Sequence, residues 1–378
     1  MINKCDCYLF FIVNNGIIFC RSDVLKLLFV TGGTGGHIYP ALALADYIKE
    51  EKQAEIAFVG NDDRMEKDII PEHGYPFYAL HTSGFSGNVF KKIKAGCQSL
   101  IALRKAKKII KDFNPDVVIG FGGYVSVPVI LAAQRLGKKI VLHEQNSVVG
   151  AANKMLAKHA NAIVVCYERC MSELKEYQHV YLLGNPRASI AAKRKSDEAY
   201  FSSLDLPKDK PLVLIVMGSL GSSSITDIMK DVLQNIPEVN FLYVSGKQNY
   251  TLAKEELAYK NVKVVDYIDQ LAIVDKFDLV ICRAGATTAA EITASGVCSI
   301  LIPSPYVAHN HQYFNAKALV DKKSALMIEE KDLNTQTLCD KINMVLNNPS
   351  IKEEIKKHAK ENSFPNACYD ITNIIERV

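Results

Sequence analysis

Short apolar, β-branched runs recur along this 378-residue chain with long gaps between them, and that rhythm limits what it can fold into. Six fall in the first half ("KLLFV", "EIAFVG", "DVVIGF", "KKIVLHE", "AIVVC", "VYLLG") and five in the second ("PLVLIVMG", "NFLYVSG", "VKVVDYI", "FDLVICRAG", "CSILIPSP"). A half-exposed strand alternates apolar and polar residues. These runs do not, as expected for strands covered on both faces. The segments between them are long enough for crossover helices, so the reading is α/β with parallel sheets, built twice. The length also exceeds one ordinary core. A polar, charge-dense stretch with prolines at 186, 207 and 211 separates the halves. The predicted organisation is an extension over 1–24, a first domain over 25–185, a linker over 186–210 and a second domain with C-terminal helices over 211–378.

The extension contains "CYLFFIVNNGIIFC", broken by Asn14, Asn15 and Gly16, and no apolar run approaches the roughly eighteen residues of a membrane span. A signal peptide would need a small-residue cleavage site, and none follows. The expectation is an over-extended start, with initiation near Val24 or Leu25. Mass spectrometry of the native N-terminus would reject this by finding Met1.

Lys+Arg 45 against Asp+Glu 41 leaves +4, too small an imbalance to imply nucleic acid. The ten cysteines include no Cys-x-x-Cys pair, which argues against zinc ribbons and disulfide frameworks and for reduced thiols in the cytoplasm.

Glycine and polar clusters follow the apolar runs: "TGGTGGH", "GFGGYVS", "HEQNS", "MGSLGSSS" and "RAGATTAAE". Each falls at the carboxyl end of a strand, where open parallel sheets bind ligands, and two such sheets face to face would make a cleft. In "GGTGGHIYP" the glycines before a helix form an anion nest. A Gly-x-Gly-x-x-Gly dinucleotide motif fails, because Ile38 takes its last position. His37 is either a general base titrating near neutral pH or a packed cap. Glycines 120, 122 and 123 either repeat the nest or permit close helix packing. "MGSLGSSS" suits a phosphate through Ser219. In the segment from Cys282 to Ala316, Arg283 and a Gly-Ala-Thr-Thr turn open a helix, and Glu291 can accept hydrogen bonds from two vicinal ribose hydroxyls. Asn310, His311 and Gln312 can read sugar hydroxyls. No Asp-x-Asp occurs, so a departing diphosphate would be neutralised by helix ends and a cation rather than by a metal.

One stretch is locally basic: from His73 to Lys111 there is no acidic residue. Lys91, Lys92, Lys94 and Arg104 flank an amphipathic pattern, either a solvated helix face or a surface for anionic lipid headgroups. In the second case Phe85 and Phe90 are the candidate inserting side chains.

Together, "TGGTGGH", "GGYVS", "HEQN", "GNP" and "RAGATTAAE", in this order from Lys26 onward, resemble the MurG family within glycosyltransferase family 28. The resemblance implies a GT-B fold, two Rossmann-like domains facing a cleft. It implies inverting transfer of N-acetylglucosamine from UDP-GlcNAc to the muramoyl 4-hydroxyl of undecaprenyl-diphospho-MurNAc-pentapeptide, lipid I to lipid II, in peptidoglycan synthesis. It also implies no cofactor, no required metal, and peripheral attachment to the cytoplasmic membrane face. Carried over by position, His37 is the base. Thr34, Gly35 and Gly36 contact the donor, and Gly33, Gly35, Gly122, Gly123 and Tyr124 the acceptor diphosphate. Asn146, Arg187, Ser219 and Arg283 contact the donor, Ile268 presents backbone to uracil, and Ala286, Thr287 and Thr288 face the α-phosphate. Glu291 holds the ribose and Gln312 selects the sugar.

The chain departs from the family in three places. Arg187 directly follows Pro186 where Gly-Asn-Pro-x-Arg is common, Leu220 stands where glutamine is frequent, and His311 falls at a position that takes histidine or glutamine. The competing readings are a lipid glycosyltransferase with another donor, a UDP-sugar epimerase, and a non-catalytic UDP-sugar-binding protein.

Overall fold

The computed structural model describes residues 9–13, 16–20, 24–82, 89–207, 209–217 and 223–378, without the side chains of 9–20, 89–97 and 223–226. A hairpin of β1 (Leu9–Val13) and β2 (Gly16–Cys20) comes first. The first unit then runs β3 (Leu25–Val30), α1 (Gly35–Glu51), β4 (Ala54–Asn61), α2 (Glu66–Glu72), β5 (Phe77–Leu80), α3 (Val89–Phe113) and β6 (Val117–Gly120). It continues with α4 (Ser126–Arg135), β7 (Lys139–Glu144), α5 (Ala151–Leu156), β8 (Ala162–Val165), α6 (Glu168–Glu173) and β9 (Val180–Leu182). Its strands are all parallel, in the order β5-β4-β3-β6-β7-β8-β9.

Two helices, α7 (Pro186–Lys193) and α8 (Glu198–Ser203), lead into the second unit. There follow β10 (Leu212–Val216), α9 (Ser223–Asn235), β11 (Asn240–Val244), α10 (Tyr250–Glu256), β12 (Val262–Val265), β13 (Leu279–Cys282) and α11 (Ala286–Ser295). The chain ends with β14 (Ser299–Leu301), α12 (His311–Asp321), β15 (Leu326–Met327), α13 (Thr335–Leu346), α14 (Pro349–Glu361) and α15 (Ala367–Arg377). This sheet is also parallel, ordered β12-β11-β10-β13-β14-β15.

The unalternating runs are buried on both sides, as their composition requires. Leu28, Val30, Val118 and Leu142 pack on one face of the first sheet, and Leu27, Phe29, Ile119 and Val141 on the other. Phe29 stacks between Phe58 and Phe121, with ring centroids 5.1 and 6.0 Å away. In the second sheet Val213 and Ile215 face one core and Leu214 the other. Strand order reverses between β3 and β6, and again between β10 and β13, so each sheet opens a crevice at that point.

Two segments differ from the sequence division. Much of 186–210 is helical rather than extended linker. Pro186 suits a first helical position, and the Asn185 side chain accepts from the Arg187 amide at 3.0 Å. Ala188 and Ala191 then bury against Leu271 and Ala294. The last helix, placed by sequence with the second domain, packs on the first: Ala367, Cys368, Ile371 and Ile375 join the cluster around Phe29. The Cys368 amide donates to Ser189 Oγ at 2.9 Å, and Lys52 pairs with Glu376 at 2.8 Å. The chain therefore crosses between the units twice, and the crossings touch. Gly184, at φ +80°, lies so close to Phe364 that a Cβ there would fall 2.3 Å from its ring.

The carboxyl ends of the two sheets face one another. Thr287 Oγ1 at the start of α11 donates to the Gly36 carbonyl at the start of α1, at 3.5 Å. Beside it the Ser147 amide donates to Asn315 Oδ1 at 2.8 Å, while Asn315 Nδ2 donates to the Ala284 carbonyl at 3.1 Å. No described helix is long and apolar enough to cross a membrane.

Candidate active site

On the first side of the cleft, β3 ends and the chain turns through Gly32, Gly33 (φ +93°) and Thr34 into α1. Thr34 is the N-cap residue but makes no side-chain cap bond, so its hydroxyl does not satisfy the first amides of α1. His37 sits in the first turn, with Nδ1 2.9 Å from the Gly32 carbonyl. A carbonyl only accepts, so Nδ1 carries a proton, and in the neutral ring Nε2 is then the acceptor.

The loop after β6 closes over this ring. Gly122 is at φ +97°, and a Cβ there would come 3.2 Å from His37 Nε2. Gly123 is at φ +81°, and its Cβ would meet the Gly32 carbonyl oxygen at 2.7 Å. Two loops can approach this closely only without side chains. Tyr124 beside them is exposed. Gly120 packs within the core, where its Cβ would meet Leu142 at 3.0 Å, and the other two allow the loop to lie against His37 and Gly32.

After β7 the "HEQN" segment is organised by Glu144, a buried carboxylate that accepts from the amides of Asn146 (3.0 Å) and Gly150 (2.9 Å) and from Asn153 Nδ2 (2.9 Å). Asn146 is thereby aimed across the cleft, where its Oδ1 accepts from Asn315 Nδ2 at 3.3 Å. Beneath it His143 stacks on Phe121, donates from Nε2 to the Gly184 carbonyl at 3.1 Å and faces Gln145 Nε2 with Nδ1. Burial pushes its pKa down to about 4, so it stays neutral.

On the second side, α11 begins with Ala286, Thr287 and Thr288 after an N-cap glycine, Gly285, which offers no side-chain cap. Glu291 lies one turn further on and is buried, and Arg187 Nε donates to its Oε1 at 2.6 Å. Burial pushes the Glu291 pKa up, and the Arg187 charge and hydrogen bond oppose that shift. Arg283 contacts other parts of the second unit. It pairs with Glu330 at 2.6 Å and donates to the Ile302 carbonyl at 3.2 Å, both groups being largely buried. Its charge is therefore met inside the second unit. Gln312 Oε1 accepts from the Ser304 amide at 2.9 Å, which fixes the side chain and presents its NH₂. His311 and Asn310 start α12, the latter in the left-handed region. Ile268 is buried in the turn after β12.

Residues 27–165 match the glycosyltransferase family 28 N-terminal domain and residues 212–371 the family 28 C-terminal domain. The chain belongs to glycosyltransferase family 28. Among its curated relatives is the "UDP-N-acetylglucosamine--N-acetylmuramyl-(pentapeptide) pyrophosphoryl-undecaprenol N-acetylglucosamine transferase" of Bacillus cytotoxicus, 38% identical over 94% of this chain and 99% of the relative. A protein of the same name from Leuconostoc mesenteroides is 41% identical, over 89% and 94%. Among solved structures, MurG of Acinetobacter baumannii superposes with a TM-score of 0.77 at 26% identity, covering 94% of this chain and all of that one. A UDP-GlcNAc 2-epimerase from Neisseria meningitidis shares the fold at a TM-score of 0.67 and 13% identity, over 94% and 100%. Members of family 28 are hexosyltransferases, and the two parallel-sheet units facing a cleft are the GT-B arrangement expected from the sequence.

Two residues that organise this family 28 cleft were not singled out in the sequence. Glu66, fully buried on α2, accepts from the Gly33 amide (3.2 Å), the Asn61 amide (3.0 Å) and Asn61 Nδ2 (3.0 Å), and so pins the first glycine loop from behind. Asn315, which joins the Ser147 amide to the Ala284 carbonyl, is the other. Ser219 and Phe85 lie outside the described residues, as do the side chains of Phe90, Lys91, Lys92 and Lys94.

Proposed function

We propose that this chain transfers N-acetylglucosamine from UDP-GlcNAc to undecaprenyl-diphospho-MurNAc-pentapeptide within the cleft, the lipid I to lipid II step of peptidoglycan synthesis. The curated relatives that match over nearly their whole length carry that activity in their names. The observation that carries the chemistry is the contact of His37 Nδ1 with the Gly32 carbonyl. With Nδ1–H tied to the Gly32 carbonyl, Nε2 is held as an acceptor beside the bare backbone of Gly122.

In this reading the first unit binds the acceptor and the second the donor. The acceptor diphosphate lies on the glycine loops at Gly33, Gly35, Gly122 and Gly123. His37 Nε2 takes the proton of the muramoyl 4-hydroxyl, the oxygen attacks the anomeric carbon from the face opposite UDP, and configuration inverts. UDP departs toward the start of α11, where the amides near Ala286, Thr287 and Thr288 meet the developing charge. That helix end takes a larger share of the work than the sequence suggested, because Arg283 is paired with Glu330. Ser219, Thr34, Gly36 and Asn146 complete the donor contacts, Ile268 faces uracil, Glu291 the ribose and Gln312 the sugar.

Peripheral attachment to the cytoplasmic membrane face belongs to the same proposal. On α3, Leu100 and Ile101 are exposed next to Arg104 and Lys105, an apolar edge beside a basic face. Replacing both apolar residues by serine should weaken sedimentation with anionic vesicles, and unaltered sedimentation would move the contact elsewhere.

The central test is release of UDP from UDP-GlcNAc in EDTA, with and without a short-chain lipid-linked muramoyl-pentapeptide. Release that depends on the acceptor despite the chelator is expected. Release without acceptor, or only from another UDP-sugar, would overturn the assignment.

A further inference from the structure

Arg187 stands where the resemblance leaves an arginine contact unplaced, and its side chain is committed to Glu291. Nε lies 2.6 Å from Oε1, with the arginine side chain 25% exposed and the glutamate 10%. Among the described residues no hydrogen bond reaches Glu291 Oε2. A carboxylate this buried drifts toward its neutral form unless a cation stands beside it. A neutral carboxyl would present a donor where two ribose hydroxyls need acceptors.

The helix that brings Arg187 is built to hold it. The Asn185 side chain caps α7, and Ala188 and Ala191 pack it against Leu271 and Ala294 of the second unit. Just past the end of that helix, Arg194, its C-cap residue, forms an ion pair with Asp269, the neighbour of Ile268. The Asp269 amide in turn donates to the Tyr200 hydroxyl of α8 at 3.2 Å. One helix and its C-cap residue therefore reach both places that the nucleoside reading uses.

We propose that Arg187 is a positioning residue for ribose recognition: it occupies Glu291 Oε1, keeps the carboxylate ionised and turned, and leaves Oε2 toward the ribose hydroxyls. It acts through Glu291 and not by contact with the diphosphate. This rests on the reading above that Glu291 holds the ribose.

The test is calorimetric binding of UDP and 2′-deoxy-UDP to the full chain, as wild type, R187K, R187Q, E291Q and the R187Q/E291Q double variant. Wild type should prefer UDP by about tenfold or more, the scale of a hydrogen bond to a charged group. E291Q should remove the preference. R187Q should remove most of it while its affinity for 2′-deoxy-UDP stays within about twofold of wild type, R187K should restore part, and the double variant should resemble E291Q alone. If R187Q weakens both nucleotides equally and keeps the preference, or changes neither, Arg187 does not act through Glu291 and the proposal fails while the ribose assignment stands. A preference that survives E291Q overturns the ribose assignment and the proposal with it.

Discussion

The two sides of the cleft are held in shape by opposite means. At β3 and β6 the site is main chain, pinned from behind by the buried Glu66 carboxylate and brought together by glycines that leave no room for side chains. At α11 the site is side chain, and its cation and carboxylate pairs, Arg187 with Glu291 and Arg283 with Glu330, reach in from other elements. The first arrangement fixes the glycine loops and the His37 ring against one another. The second tunes charge, and so decides which protonation state greets a nucleotide.

The comparison breaks most readily at His37. Its alanine variant should lower kcat by about 10²- to 10⁴-fold, the range for a lost general base, while affinity for UDP-GlcNAc stays as in wild type. Donor affinity falling in step with turnover would show that the first site also grips the donor. Next in size, Glu66→Ala should leave the Gly33 and Asn61 donors buried without an acceptor and cost about 3 kcal/mol in unfolding free energy, read from urea denaturation. A loss below about 1 kcal/mol would mean the loop holds its own shape.

The smallest effect is acid sensitivity, and it separates the two sides. His143, under the first site, has a folded pKa of about 4 against an ordinary 6.5. Over that interval the unfolded chain binds the extra proton, so stability that is full above pH 6.5 declines as pH falls toward 4, by about 2 kcal/mol at pH 5. His143→Asn should flatten the slope. On the second side Glu291 is raised by burial, with Arg187 opposing that rise and Asp269 adding to it. Nucleotide affinity should therefore decline on acidification from a higher pH than an ordinary carboxylate would set. A stability profile unchanged by the His143 substitution would remove that residue from the account.

What the sequence revealed follows the same division. Strands such as Val117–Gly120 and Leu279–Cys282 were legible because burial on both faces writes itself as unbroken apolar residues, and the glycine loops because positive φ demands a particular residue. Glu66 was not legible, since its partners are main-chain amides 33 and 5 residues away and any buried carboxylate could have served. The direction of Arg187 was hidden for a related reason: its partner lies 104 residues on, and only the packing of α7 against α11 joins them. Proline and charge in the 186–210 stretch suggested a linker, but a proline at a helix start is helical chemistry.

The return of the last helix to the first sheet has a mechanical consequence. A body tied at one point can swivel about three axes, whereas two tethers side by side leave one easy rotation and resist twisting and sideways slip. The crossings at Gly184 and near Phe364 touch, so they form the pin of a door whose leaves are the two units. Cutting the chain between α14 and α15 would leave both leaves intact and let one of them turn freely on a single thread.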